Sequence, residues 1–345
     1  MGANAVSAGE ITLAQRADVP AGQTALEGIG KTTRDMELAA DLAARGTPVL
    51  WVSLESAEDA AALALALAAA TRGVKQDVLV RVNPQVAPET HHGLAVGAPA
   101  SKFGVTADEL PAVIEAGGGA RGPLRWRGIH LHVGSQLGAV DAWRSGFRVG
   151  LRLLELQRAK LRSFDTLDAG GGFPVAYGDD PAAVPPLSRF AEEAAAELAL
   201  LPEAARPKRL AVEPGRAIVA GSGWLIGQVL HVRRREPPIV VLDTGMTELV
   251  RPALYGAVHP MVSLSNDGKA LNVRVDGPVC ESTDTLGEAD LPALERGDLV
   301  AIGMSGAYGS SMFSAYNGRT RPPEVAWDKG RLTVLRSRGR TASLP

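Results

Sequence analysis

Residues able to do chemistry cluster at three places in this chain, each at the end of a short apolar run. They are a histidine and a serine, three consecutive glycines, and a carboxylate followed by a glycine and an arginine: His132, Ser135, Gly170, Gly171, Gly172, Glu213, Gly215 and Arg216. Glycines after a strand let backbone N–H groups approach an anion closely, because no Cβ is in the way. A tight turn explains the glycines alone, since neither dinucleotide-binding nor P-loop spacing is present. Taken with the other two groups, they suit a site for a phosphorylated aromatic cofactor.

The first two-thirds of the chain alternate strand and helix patterns. Seven apolar strand candidates occur: Asn4–Ala8, Ala25–Ile29, Pro48–Leu54, Val78–Pro84, Trp126–Gly134, Thr166–Gly171 and Arg209–Gly215. Helical stretches separate most of them: Thr33–Gly46, Ser56–Gly73, Asp141–Lys160 and Leu187–Leu201. Alternation of this kind predicts a parallel sheet, and this many units predict a (β/α) barrel, whose functional residues lie at the C-terminal ends of the strands. All three clusters lie at such ends.

The pattern changes from about Ala217, where helical periodicity stops. Strand-like runs separated by Gly, Pro, Asp and Asn turns follow: Ile239–Thr244, Ala270–Val275, Asp298–Gly303 and Arg331–Arg336. The sequence therefore predicts two domains, a barrel over residues 1–217 and a β domain over residues 218–345.

Composition excludes several classes of function. A formal net charge of −2 over 345 residues gives no electrostatic footprint for nucleic acid. No apolar run has the length of a membrane span, and the N-terminus has no secretory pattern, so we expect a cytoplasmic protein without a membrane partner. The single cysteine, Cys280, excludes a disulfide framework and a cysteine-rich zinc site, and the six histidines show no metal-binding spacing. We therefore predict no metal.

Motifs along nearly the whole chain keep a fixed order and spacing. They are GIGK (28–31), RVNP (81–84), SKFG (101–104), HVGSQ (132–136), DAGGGFP (168–174), EPGR (213–216), RPALY (251–255), GPVCESTD (277–284), GAY (306–308) and YNG (316–318). This series resembles that of the fold-type III pyridoxal phosphate (PLP) decarboxylases, the ornithine, diaminopimelate and arginine decarboxylase family. Two motifs look most like the diaminopimelate-type members: Cys280-Glu281-Ser282-x-Asp284 and Arg251-x-x-x-Tyr255. Ornithine-type relatives usually carry Asp where Glu281 stands. The resemblance implies an alanine racemase-like (β/α)8-type barrel followed by a C-terminal β-sandwich or β-barrel domain.

The resemblance also implies roles for residues at the cofactor. His132 would stack on the pyridine ring, and Glu213 would pair with its protonated nitrogen, which keeps the ring an electron sink. The phosphate or its surroundings would be held by Ser135, Gly170, Gly171, Gly172, Gly215, Arg216 and Tyr308.

Further roles concern the substrate. Arg216, Arg251 and Tyr255 would grip the carboxylate at the far end of the substrate, where a guanidinium fork suits a planar carboxylate, and Tyr308 would line the same ligand. Glu281 would read the distal ammonium group, and Cys280 would return a proton to the substrate after carbon dioxide departs. In the family the residues matching Cys280 and Glu281 act in the partner subunit's active site, which implies a homodimer with shared sites.

Each residue also has a purely structural interpretation. His132 would serve equally as a satisfied core histidine, and Cys280 alone is more often inert core. Arg251 would serve as a surface cation, and Lys31 is read as a structural lysine at a loop or helix start. For Glu213 a functional role is favoured over a structural one, because a carboxylate at a strand end inside a barrel is costly to bury unpaired.

One family feature is missing from these 345 residues. The family's Schiff-base lysine lies on the first barrel strand, in a Tyr-Ala-x-Lys-Ala-Asn-type motif, whereas residues 2–10 here match the second strand. None of the lysines (Lys31, Lys75, Lys102, Lys160, Lys208, Lys269 and Lys329) lies in such a motif. The expectation is a barrel that lacks its first strand and exposes two sheet edges. A truncated or misannotated start is the favoured explanation, ahead of a fragment completed by another polypeptide and of a protein that has given up catalysis.

The function expected from the resemblance is PLP-dependent decarboxylation of meso-diaminopimelate to L-lysine and carbon dioxide. Two alternatives stay open. One is a related decarboxylase acting on another basic amino acid in a specialised pathway. The other is a non-catalytic homologue that binds PLP or regulates an active relative, which the missing lysine motif favours.

Overall fold

The computed structural model describes residues 1–70, 73–90, 95–98, 100–178 and 180–340; two of the histidines, His91 and His92, and the end of the predicted helix Ser56–Gly73 lie outside them. The chain divides into two units. Unit 1 comprises Met1–Pro174 and Val184–Pro214, and unit 2 comprises Val175–Ala183 and Gly215–Pro345. The domain boundary proposed from the sequence, between residues 217 and 218, remains a prediction.

Unit 1 is built on a seven-stranded parallel sheet whose strands follow chain order. The strands are β1 (Ala3–Ala5), β2 (Thr24–Leu26), β3 (Trp51–Leu54), β4 (Gln76–Val82), β5 (Leu124–Leu131), β6 (Thr166–Asp168) and β7 (Arg209–Ala211). The central strands carry near-continuous apolar runs, as strands covered on both faces do, and Val80 of β4 lies opposite Ile129 of β5. Each predicted strand overlaps an observed one, so the prediction of a barrel-type parallel sheet with seven strands is confirmed.

Helices cover the connections of unit 1: α1 (Ala8–Arg16), α2 (Thr33–Ala44), α3 (Ala57–Ala70), α4 (Leu110–Ala116), α5 (Asp141–Arg158) and α6 (Leu187–Ala199). Helix α5 buries Trp143, Phe147, Leu151 and Leu154, spaced three or four residues apart, and so presents one apolar stripe to the sheet. Ser56 caps the start of α3, because its hydroxyl accepts the Asp59 N–H at 3.1 Å.

Helices α1 and α4 were not expected from the sequence. The sequence nevertheless contains a capping signal at the start of α1. Ser7 Oγ accepts the Glu10 N–H at 3.3 Å, and the Glu10 carboxylate accepts the Val6 N–H at 2.8 Å. Lys31 has the structural role foreseen for it. Its ammonium lies 3.0 Å from the Asp59 carboxylate and also donates to the Gly28 carbonyl, tying the start of α2 to that of α3.

Strands β1 and β7 are the two ends of the parallel sheet and are not paired with each other in the part of the chain that is described. Beside β7 an apolar groove of about 480 Å³ runs along α6, lined by Phe190, Leu198, Leu210 and Val212 among others. Leu210 and Val212 are exposed. The open edges expected from the strand count are therefore present.

Unit 2 contains a six-stranded mixed sheet in the order β10-β13-β8-β9-β11-β12 and a separate hairpin, β14-β15. The strands are β8 (Leu225–Arg233), β9 (Ile239–Leu242), β10 (Met261–Ser263), β11 (Leu271–Asp276), β12 (Thr285–Leu291), β13 (Leu299–Ile302), β14 (Glu324–Asp328) and β15 (Arg331–Arg336). Two short helices, α7 (Gly215–Val219) and α8 (Arg251–Tyr255), interrupt them. Inward-facing Val, Leu and Ile side chains of the sheet form one core. A β unit follows the parallel sheet, as the sequence predicts, although β8, β10, β12 and β14 were not foreseen.

None of the helices in the described segments combines the length and the apolar character that crossing a membrane requires.

Candidate active site

Three successive strand ends of unit 1 bring His132, the glycine run and Glu213 together. His132 directly follows β5, and its Nδ1 accepts the Gly171 N–H at 3.2 Å and lies 3.7 Å from Glu213 Oε2. The Glu213 N–H in turn donates to the Gly170 carbonyl at 2.9 Å. An imidazole, a carboxylate and a glycine turn thus share one end of the sheet, as expected for parallel strands.

The glycine turn packs too closely for side chains. A Cβ on Gly171 would lie 2.6 Å from the Glu213 carbonyl oxygen and 3.1 Å from Cε1 of His132, and one on Gly172 would lie 2.6 Å from the Gly134 carbonyl oxygen. Gly172 also has a φ of +100°, which side chains rarely adopt. Two of the three N–H groups serve the turn itself, because Gly170 donates to Asp168 and Gly171 to His132. Among the described residues, only the Gly172 N–H of this run is not engaged in this way.

Four ionisable side chains meet behind this turn: His130, Glu27, Asp168 and Glu213. Of these, only Glu213 was given a role from the sequence. The Nε2 atom of His130 lies 2.9 Å from Glu213 Oε1 and 3.4 Å from Glu27 Oε2. Asn4 of β1 donates to Glu27 Oε2 at 3.0 Å and to Glu213 Oε2 at 2.8 Å. Both Glu27 and Asn4 lie on or directly after strands, so a systematic search of all seven strand ends would have found them.

Burial and mutual charge set the protonation of this group. Burial alone would raise the pKa of Glu213, but the positive charge of His130 holds it well below its usual range. Burial would lower the pKa of His130, but Glu27 and Glu213 outweigh it and raise that pKa to about 9. Burial raises the pKa of Glu27 to about 8, and burial with the charge of Glu213 raises that of Asp168 to about 6. At neutral pH, Glu213 is therefore an anion paired with an imidazolium, and Glu27 is largely protonated.

Unit 2 holds a second cluster, in which two arginines converge on one tyrosine. The Tyr177 phenol oxygen accepts hydrogen bonds from Nη1 of Arg216 at 2.6 Å and from Nη1 of Arg251 at 2.7 Å. Arg251 is only 3% exposed, although the structural interpretation of its sequence was a surface cation. The phenol oxygen occupies a position between two guanidinium groups that suits an anionic oxygen of a ligand.

His259 contacts the same nitrogen of Arg251 as Tyr177 does. Its Nε2 lies 3.1 Å from Arg251 Nη1, and its Nδ1 lies 3.0 Å from the Gly303 carbonyl oxygen. Burial, with the charges of Arg251 and Arg216, lowers the pKa of His259, so the neutral ring donates from Nδ1 and accepts from Arg251 at Nε2. The sequence offered no signal for His259, whereas Tyr177 ends the glycine-containing stretch and was passed over.

The remaining candidates are Tyr308, Tyr255 and Gly215 in unit 2 and Ser135 in unit 1. Tyr308 has a φ of +58° and lies under the Arg216 guanidinium, 4.7 Å from its ring centroid. Tyr255 lies four residues after Arg251, at the end of α8. A Cβ on Gly215 would meet nothing within 4 Å. Ser135 lies in the turn after β5, where the Thr90 hydroxyl donates to its carbonyl at 2.6 Å. The roles of these four residues remain predictions.

Cys280 and Glu281 are exposed side chains of unit 2. Asn317 donates to the Cys280 sulfur at 3.4 Å, and the Tyr316 hydroxyl donates to Glu281 at 2.8 Å. Asp284 is buried and accepts the N–H groups of Met246 and Val279, so it shapes the turn that presents the two residues. An exposed thiol and carboxylate are available to a ligand or a partner, in contrast to an inert core cysteine.

Comparison with known proteins decides the family. The model described as "Pyridoxal-dependent decarboxylase, pyridoxal binding domain" matches residues 1–220. The chain belongs to this family. A diaminopimelate decarboxylase of Zymomonas mobilis is 31% identical over 340 residues, which cover 98% of this chain and 78% of that protein. The decarboxylase chain therefore matches such relatives along nearly its whole length.

Solved structures of related decarboxylases have the same fold. Diaminopimelate decarboxylase from Helicobacter pylori complexed with L-lysine has a TM-score of 0.89 at 31% identity, covering 99% of this chain and 82% of that chain. Lysine/ornithine decarboxylase from Vibrio vulnificus complexed with putrescine has a TM-score of 0.73 at 25% identity, and the match covers 92% of this chain and 78% of that chain. The fold and the family expected from the motifs are confirmed.

Pyridoxal phosphate is the cofactor of this family, and unit 1 has the features that fit it. An ionised carboxylate suits a protonated pyridine nitrogen, an imidazole suits the ring, and the glycine turn offers close backbone approach and one N–H to a phosphate. None of the site residues is chemically incompatible with the group.

Substituting Gly171 tests this fit. In Gly171→Ala the new Cβ would force Glu213 or His132 to move, so we expect PLP affinity to fall at least about tenfold. Titration with PLP, followed by quenching of protein fluorescence, measures the effect. The matched control is Gly30→Ala, also in unit 1, whose Cβ would meet nothing within 4 Å and should leave affinity unchanged. Equal affinities for both variants would contradict the assignment.

Proposed function

We propose that this chain is a diaminopimelate-type decarboxylase, which releases carbon dioxide from the D-centre of meso-diaminopimelate and yields L-lysine. The observation that carries the proposal is the convergence of Arg216 and Arg251 on Tyr177 in unit 2. Two guanidinium groups held this way suit the carboxylate that both diaminopimelate and L-lysine keep at the end that does not react. Decarboxylases whose products are simple diamines have no such carboxylate to bind.

The reaction breaks one carbon–carbon bond and forms one carbon–hydrogen bond. Bound PLP supplies an electron sink for the electron pair that stays on the substrate carbon when carbon dioxide departs. With PLP bound, Glu213 would hold the proton at the pyridine nitrogen, and His132 would lie against the ring. Cys280 delivers a proton to the substrate carbon and regains one from water.

Binding and orientation fall to the remaining candidates. Arg216, Arg251 and Tyr255 hold the distal carboxylate, Glu281 pairs with the distal ammonium group, and Tyr308 lines the ligand. Ser135, Gly170, Gly171 and Gly172 serve the phosphate, and the family motif assigns Gly215 to the same task. Each assignment follows the family motif, and the cluster in unit 2 supports the first of them.

The protein is further proposed to be a cytoplasmic homodimer in which Cys280 and Glu281 serve the partner subunit. Their exposure supports this, because residues that act in a neighbouring subunit must lie on the surface of their own. We propose no nucleic-acid or membrane partner.

Binding of products tests the substrate class. Isothermal titration of the PLP-loaded chain with L-lysine, cadaverine and putrescine compares ligands with and without the distal carboxylate. We expect L-lysine to bind at least about tenfold more tightly than either diamine. Tighter binding of putrescine would favour the alternative of a related decarboxylase for another basic amino acid.

The second alternative, a non-catalytic homologue, is favoured by one observation: none of the seven lysines lies in the family's Schiff-base motif. Borohydride reduction of the PLP-treated chain, followed by peptide mass mapping, decides whether a lysine carries the cofactor. One fully labelled lysine would mean that this chain has recruited a substitute. The absence of a specific label, with PLP still bound, would favour the non-catalytic role for the chain on its own.

A further inference from the structure

His130 is a buried titratable residue that the proposed function does not use. It lies on β5 and is 1% exposed. Its Nδ1 lies 2.7 Å from the Ser53 hydroxyl of β3, and its Nε2 lies 2.9 Å from Glu213 Oε1. Both ring nitrogens are therefore committed, one to a neutral hydroxyl and one to the carboxylate that follows β7.

Glu213 depends on this contact. Asn4 donates to its Oε2 at 2.8 Å. Within the described residues, His130 Nε2 and Glu213 Oε1 are both buried and neither takes part in a regular hydrogen bond, so the charge contact of 2.9 Å between them is their shortest polar contact. The ion-pair contact between them is thus what fixes the second oxygen of the carboxylate, while Asn4 fixes the first.

The surroundings make the charge of His130 important. Three carboxyl groups from different strand ends, Glu27, Asp168 and Glu213, face one imidazole. Glu27 and Glu213 each place an oxygen within 3.4 Å of His130 Nε2, and because two ionised carboxylates this close repel each other, the imidazolium stabilises only one of these two as the anion. Its shorter distance to Glu213, 2.9 Å against 3.4 Å for Glu27, makes Glu213 the carboxylate that is stabilised as the anion.

We propose that His130 is a positioning residue that acts through Glu213, fixing both the orientation and the negative charge of the carboxylate placed against the pyridine nitrogen. The inference rests on the proposed function. It adds a second histidine, two residues before His132, whose task is to hold Glu213 rather than to contact the ring. A neutral side chain at this position would leave Glu213 free to take up a proton and to donate rather than accept at the pyridine nitrogen.

A pair of cofactor probes separates this role from a general packing role. PLP has the ring nitrogen, whereas 1-deaza-PLP carries a C–H group there and is otherwise the same shape. We expect the wild-type chain to prefer PLP by about 100-fold, and His130→Gln to reduce that preference at least about tenfold by weakening PLP binding alone. Ser53→Ala, which removes the other partner of the ring without touching its charge, should change the preference less than about threefold.

Other outcomes overturn the proposal. If His130→Gln keeps the wild-type preference for PLP over 1-deaza-PLP, or loses affinity for both probes equally, then His130 has only a packing role. Failure of the wild-type chain to bind PLP would overturn the proposed function and this inference together, whereas binding without a preference would overturn only the inference.

A measurement on the unsubstituted protein guards against a variant that fails to fold. Histidine labelled with carbon-13 gives one ring resonance per residue, assigned by substituting the other five histidines in turn. We expect the His130 ring to stay an imidazolium at pH 7 and to titrate above pH 8. Titration below pH 7 would overturn the proposal.

Discussion

Replacing Arg251 with methionine is expected to weaken L-lysine binding by the PLP-loaded chain about 100-fold while leaving cadaverine binding within about twofold. Methionine is unbranched, uncharged and shorter than arginine, so it fills the inner part of the buried space and removes the guanidinium. The reason for the selectivity is that L-lysine has the carboxylate that Arg251 is proposed to bind, whereas cadaverine has none. Isothermal titration with the two ligands gives both values in one series.

Three further variants sharpen this result. Arg251→Lys keeps the charge but loses the planar fork, so an intermediate loss of about tenfold is expected. Tyr177→Phe leaves both cations in place without their shared acceptor, and a loss of about threefold to tenfold is expected. Arg274→Met is the matched control, because Arg274 belongs to the same unit, has a side chain that is 42% exposed and pairs with Asp276 at 2.8 Å. An equal loss of L-lysine and cadaverine in Arg251→Met would contradict the assignment of Arg251 to the carboxylate.

The free energy of unfolding is expected to fall as pH rises from 7 to 9. In the folded protein the pKa of His130 is raised to about 9 and that of Glu27 to about 8. Unfolding returns these groups to ordinary values near 6.5 and 4.5, so over this range the folded state holds more protons than the unfolded one. Stability therefore decreases with pH, by up to about 1.4 kcal/mol per pH unit for each such proton.

The pH range over which stability is lost follows from the pKa values of the individual groups. Between pH 7 and 8 both His130 and Glu27 contribute, and between 8 and 9 mainly His130, so the slope should lessen by about half. Glu213 has the opposite sign, because its lowered pKa contributes stability that is lost only in acid. Urea denaturation at pH 6, 7, 8 and 9 measures the effect.

Glu27→Gln removes one titrating group and should flatten the slope between pH 7 and 8. Glu115→Gln, an exposed substitution in the same unit, is the control and should leave the slope as in the wild-type chain. A stability that is constant or rises from pH 7 to 9 would contradict the protonation pattern described for the buried cluster.

Much of unit 1 was predictable because its strands are short apolar runs between turn residues. The run from Val78 to Val82, for example, is mostly apolar and so predicts a strand that is buried rather than exposed to solvent. Unit 2 was harder. Strand β12 has the sequence TLGEADL, in which polar residues alternate with few apolar ones, and β10 has only three residues. Such strands form because neighbours supply the pairing, which no local pattern records.

The residues of the site likewise fall into those that the sequence indicates and those that only the structure shows. His132 and Glu213 were predictable because polar residues at the ends of buried strands demand an explanation. His130 escaped notice because it lies inside the strand, where a histidine between apolar residues resembles core. Tyr177 and His259 are far from Arg251 in sequence, 74 and 8 residues away, and only folding shows that they share one guanidinium.

The most direct test is the release of labelled carbon dioxide, with PLP present, from meso-diaminopimelate labelled at its D-centre carboxyl group and, in parallel assays, from carboxyl-labelled L-ornithine and L-arginine. The assay is run with the chain alone and with a polypeptide carrying the family's lysine motif added in trans. We expect carbon dioxide and L-lysine in equal amounts from diaminopimelate, and turnover of the other two amino acids lower by at least about tenfold. Carbon dioxide from ornithine or arginine but none from diaminopimelate, or no turnover in either arrangement, would contradict the proposed function.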